Sequence, residues 1–102
     1  MSTKIEGTLP VAIKILDGQT EVKGKNVVMH QMTAIQFIQS QAGLDEGQFI
    51  AIADLSSMTK LIDEKGNEHA LSYEALGNSS RANMDYLSRL KVQLDAKEAA
   101  EN

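Results

Sequence analysis

Four aliphatic residues at alternate positions, Leu9, Val11, Ile13 and Ile15, run straight into Asp17-Gly18. Alternate side chains of an extended chain share one face, so this spacing predicts a strand that turns those four residues to a core. Asp-Gly suits a two-residue hairpin turn, whose central positions favour positive φ. The return strand is expected from Gln19 into Val22, with Gly24 as a bend or bulge and Val27, Val28 and Met29 continuing it. Pro10 has no N–H to give a neighbour, so the first strand begins there or lies at a sheet edge. Residues 1–8 are polar and are expected to be loose.

Helix-start grammar follows three times. In Met32-Thr33-Ala34-Ile35-Gln36-Phe37, Thr33 can cap a helix, Gln36 can reach back to it, and Met32 can clamp onto Phe37. Leu44-Asp45-Glu46-Gly47-Gln48-Phe49 has the same form with Asp45 as cap, and Leu71-Ser72-Tyr73-Glu74-Ala75-Leu76 keeps cap and staple only. The segments between do not match, so this is shared capping chemistry rather than a repeat. A first helix is expected from Ala34 to Ala42, stopping at Gly43, with Ile35, Ile38 and Ala42 inward. A second starts after Asp45 and reaches about Met58. Its apolar stretch at 49–53 also fits a buried strand, but Asp45, Leu55 and Met58 favour helix. Lys60-Leu61-Ile62-Asp63 and Glu68-His69-Ala70-Leu71 flank Glu64-Lys65-Gly66-Asn67, as a small hairpin or a loop. A short helix follows from Tyr73 and ends at Gly77. Ser79 or Ser80 then caps the longest helix, residues 81–99, which carries Met84, Leu87, Leu90 and Leu94 on one stripe, with Tyr86 and Val92 off it. Residues 96–102 are expected to fray. The class is α+β, one domain over residues 1–102.

Composition narrows the function. A net charge of −4 with no basic stripe gives nucleic acid no footing. The absence of Cys excludes disulfides and thiol chemistry. No run approaches the roughly 20 apolar residues of a membrane span, and the first residues lack the apolar stretch of a signal peptide. A cytoplasmic protein without cofactor is the expectation.

Catalytic groupings are not apparent. His30 and His69 are the two histidines, and helical His-x-x-x-His spacing is absent, so no metal is expected. Ser56-Ser57 and Ser79-Ser80 read as helix ends and caps rather than nucleophiles. Asp45/Glu46 and Asp63/Glu64 are adjacent in sequence and point apart instead of converging on one bond. Gly43 and Gly47 lack the Gly-Lys-Ser/Thr of a phosphate loop. The expectation is a non-enzyme.

Two features suit protein binding. From Asn26 to Leu44 no residue carries formal charge, His30 aside, and interface cores are poor in charge. Ile35, Gln36, Gln39 and Ser40 of the first helix are therefore candidate contacts. So are Tyr86, Leu87, Leu90 and Leu94 of the last helix, although core packing is the default for its leucines, at ~1.5–3 kcal/mol each. The Pro10 strand edge and the last helix both offer routes to a homo-oligomer.

The order of a Leu-Pro strand, Asp17-Gly18, a Val-rich return strand, Met32-Thr33-Ala34 opening a helix, a second apolar helix, Leu71-Ser72-Tyr73-Glu74-Ala75-Leu76 and a last helix with Asp85-Tyr86-Leu87 resembles the tail assembly chaperones of contractile-tailed phages and Mu-like prophages. The resemblance spans roughly residues 8–95. It implies a small late protein of the host cytoplasm that binds the tape measure protein, helps recruit tail tube protein around it, and has no catalytic residues. A small structural tail or head-completion protein is the alternative.

Overall fold

The computed structural model describes residues 3–101. The chain runs β1 (Lys4–Asp17), β2 (Thr20–His30), α1 (Ala34–Ala42), α2 (Ile50–Met58), β3 (Thr59–Ile62), β4 (Glu68–Ala70), α3 (Tyr73–Gly77) and α4 (Arg81–Ala100). The α+β class, the leading hairpin, the short helices, the second hairpin and the long last helix are as expected. All four strands form one antiparallel sheet in the order β1-β2-β3-β4.

The first turn is centred one residue later than Asp17-Gly18. Asp17 pairs with Thr20, and Gly18 and Gln19 lie between them. Only Gly18 takes positive φ, at 66°, as a type II′ turn requires. β1 also starts well before Leu9. Residues 4–8, expected to be loose, pair with β2 from Lys4↔His30 to Thr8↔Asn26. A return strand that extends to His30 offers them a ladder, and Ile5 packs against the core.

The register then slips. Thr8 faces Asn26 and Ile13 faces Gly24, so residues 9–12 oppose Lys25 alone. This bulge contains Pro10 and lies on an edge strand, where a missing N–H is tolerated. It also breaks the alternation: Leu9, Ile13 and Ile15 are buried, while Val11 turns out and is 45 % exposed.

α4 runs along that edge and completes it. Leu87, Leu90 and Leu94 enter the core with Leu9, Val27, Met29 and Leu61. Asn83, fully buried, donates from Nδ2 to the Val11 carbonyl and accepts the Val11 N–H at Oδ1, both at 3.0 Å. Its amide thus does for the bulge what a neighbouring strand would do. Tyr86 accepts the Thr8 N–H at 3.0 Å, and Lys97 donates to the Lys4 carbonyl at 2.8 Å. A Cβ on Gly7 would overlap the Tyr86 hydroxyl, so this close approach requires glycine. Helix continues to Ala100, and Thr3 donates to Glu101 at 2.8 Å. The end expected to fray is therefore held through residue 101. Residues 1, 2 and 102 lie outside the described chain.

Capping chemistry places the helices, with one exception. Thr33 and Gln36 form the complete box, and Ser72 and Ser80 cap α3 and α4. Asp45 does not cap α2. Gly47 takes φ 90°, which closes a turn in which the Gln48 N–H donates to the Asp45 carbonyl at 3.1 Å. Helix begins only at Ile50, after Phe49. The stretch at 50–58 is helix rather than strand, and it passes directly into β3.

Candidate functional site

α1 lies wholly at the surface. An amphipathic helix normally lays its apolar stripe on the core, and Ile35, Ile38 and Ala42 were expected to do so. Instead α1 has no buried residue, and Ile35 and Ile38 are 68 % and 65 % exposed. They share a face by their i, i+3 spacing. Gln36, Gln39 and Ser40 line an open cleft of about 740 Å³ whose far wall includes Ser57, Met58 and Lys60, and Gln36 and Gln39 are themselves exposed. Met32, expected to clamp Phe37, packs against the core, and Phe37 is 41 % exposed. Phe49 and Ile50, on the lead into α2, are also exposed.

The segment is nonetheless held firmly at its root. The Gln31 N–H donates to the Thr3 carbonyl at 2.8 Å. The Gln31 side-chain amide donates to Asp95 at 2.8 Å, and its carbonyl accepts the Met32 N–H at 3.1 Å. At the cleft mouth, His30 Nε2 lies 2.8 Å from the Glu68 carboxylate. That hydrogen bond holds the Glu68 carboxyl below its ordinary value. Hence α1 presents isoleucines to solvent from a defined position, over a stretch with no formal charge.

The eight residues singled out from sequence do not come together in one place. Ile35 is exposed as a candidate contact. Gln36 is occupied by the cap, where its Oε1 accepts the Thr33 N–H at 3.0 Å. Gln39 and Ser40 line the cleft, and the Ser40 hydroxyl donates to the Phe37 carbonyl at 2.7 Å. Leu87, Leu90 and Leu94 are 0, 3 and 0 % exposed. Their place is the core beneath β1, so they offer no surface to a partner. Tyr86 is half-buried and committed to Thr8. Val92, on the outer side of α4, is 68 % exposed.

A second cluster joins parts distant in sequence. His69 Nδ1 lies 2.6 Å from Asp17, and Nε2 lies 2.8 Å from Asp63. Each ring nitrogen thus faces a carboxylate oxygen, an arrangement that favours the doubly protonated ring. Hydrogen bonds from Asp63 and then Asp17 raise the His69 pKa, and His69 in turn lowers Asp63 to about 2. The ring therefore ties the tip of the first hairpin to the second. Asp17 is 52 residues from His69, so nothing in the local sequence joins the two. Among the described residues no group of three His, Cys, Asp or Glu is arranged to hold a metal.

No helix among the described residues is long and apolar enough to cross a membrane. No protein-family model, curated protein or solved structure matches the chain.

Proposed function

We propose that the chain is a non-enzymatic binding protein, a tail assembly chaperone of a contractile-tailed, Mu-like phage or prophage. It holds the tape measure protein in the host cytoplasm until tail tube protein assembles around it. The observation that carries the binding role is the outward face of α1. Ile35 and Ile38 are presented to solvent by a helix that buries no residue of its own. A folded chain gains nothing from such an arrangement unless a partner covers the apolar side. The client is argued from the sequence resemblance, in which Met32-Thr33-Ala34 opens this same helix.

Co-expression with the tape measure protein of the same genome is the test. The two are expected to co-purify, and Ile35→Asp with Ile38→Asp is expected to release the client. A tape measure protein that stays insoluble and unbound beside this chain would sink the proposal. So would stoichiometric presence of the chain in finished particles, which marks a structural subunit.

A further inference from the structure

Two routes to a second copy that the sequence offered are closed within one chain. α4 lies along the β1 edge, where Asn83, Tyr86 and Lys97 bond to its main chain. Leu87, Leu90 and Leu94 of α4 belong to the core. An apolar face does remain open on α1. Ile35, Ile38, Gln39 and Ala42 follow the i, i+3, i+4, i+7 spacing of one helix face, and all four are exposed.

The charge on this face suits a copy of itself. In a two-fold interface the same patch is used on both sides. A charged group near the axis therefore meets its own like, and the chain as a whole carries a net charge of −4. Residues 31–44 carry no formal charge, so one α1 can approach another without that repulsion.

Shape and helix ends favour the antiparallel arrangement. The face is bulky at Ile35 and small at Ala42. With a two-fold axis between Ile38 and Gln39, each Ile35 packs over the Ala42 of the other copy, and the two Ile38 side chains meet beside the axis. α1 has no acidic residue in its first turn, where negative charge is favourable. Asp45 and Glu46 are exposed just beyond its last turn. Antiparallel packing brings these carboxylates toward the first turn of the other copy, whereas parallel packing would set them side by side.

We propose that two copies of this chain pair through α1, antiparallel, and so cover Ile35 and Ile38 when no client is bound. The pairing stands on the face itself; that it excludes a client rests on the function proposed above. A single nine-residue helix covers less than the roughly 1,200 Å² of lasting complexes. The pairing is therefore weak and reversible, with a dissociation constant on the order of 10–100 µM.

Sedimentation velocity of the full chain alone, from about 1 to 500 µM, reads the pairing, with monomer expected at the dilute end and dimer at the other. Ile35→Asp with Ile38→Asp, and separately Ala42→Glu, are expected to raise the dissociation constant at least about tenfold. Their thermal melts at dilute concentration are expected to match the wild type. The chain has no Cys, so a single introduced thiol reports its own surroundings. Ile38→Cys is expected to be joined into a dimer by a short bismaleimide, and Leu16→Cys, a similarly exposed site on β1, is not. A chain that stays monomeric at the highest concentration would overturn the proposal. So would a dimer that the α1 variants leave intact, or one that cross-links equally through Leu16→Cys. Each of these results leaves co-purification of the client untouched, so failure of the pairing is distinguishable from failure of the chaperone role. A client that binds while the Ile38→Cys cross-link still forms would overturn the exclusion.

Discussion

Asn83 and Val11, 72 residues apart, exchange two hydrogen bonds of 3.0 Å through one side chain and one backbone unit. Asn83→Leu leaves the Val11 N–H and C=O without partners beside a buried apolar group. It is expected to cost about 2–4 kcal/mol, since each unsatisfied buried polar group costs about 1–3 kcal/mol. Urea unfolding measures this. A loss below about 0.5 kcal/mol would mean that the bulge satisfies itself with water.

Gly7 and Tyr86 are coupled by contact. Gly7→Ala is expected to destabilise the chain by about 1–3 kcal/mol through overpacking. In a Tyr86→Phe background the same change is expected to cost less, because the atom nearest the new methyl is gone. A double-mutant cycle reads the difference, and strict additivity would remove Tyr86 as the cause.

The Asp17–His69–Asp63 tie sets a pH window. The folded His69 pKa is raised above the ordinary 6.5, so its contribution is complete below 6.5 and is lost as pH rises through the raised value. Asp63 is lowered from 3.8 to about 2, so its contribution is complete above 3.8 and is lost as pH falls through about 2. The wild type is therefore expected to exceed a His69→Asn variant most between 3.8 and 6.5. Melting temperatures of the two across pH 3–9 check this. A gap that stays constant above neutrality would refute the tie.

Surface and core isoleucines and leucines are expected to behave oppositely. Ile35→Asp with Ile38→Asp is expected to change unfolding free energy by less than about 0.5 kcal/mol, as exposed substitutions do. Leu90→Ala, in the core, is expected to cost about 2–5 kcal/mol. Denaturant midpoints of both variants check the assignment of α1 to surface and α4 to core.

Local chemistry was legible in the sequence where it acts over a few residues. Thr33 with Gln36, Ser72, Ser80 and the Asp17-Gly18 region each located an element within a residue or two. What the sequence concealed depends on partners far along the chain. The bulge at 9–12 looks like continuing alternation until Asn83 is placed beside it. Asp45 has a good cap side chain, but Gly47 two residues on prefers the turn. Ile35 and Ile38 show helical spacing without showing which way the helix faces. Only assembly with α2 and the cleft decides that. Asp17 becomes a partner of His69 only when the two hairpins meet.

The stitching of β1 by Asn83, Tyr86 and Lys97 also bears on synthesis. Contacts of such long sequence separation are slow to form, because loop closure comes before any gain. During translation the first hairpin leaves the ribosome with its outer edge bare and stays so until α4 emerges. For that interval the nascent chain offers a ready sheet edge to any neighbour. Crowded polysomes are thus where a chain with Asn83 removed is expected to begin aggregating, before any finished molecule exists.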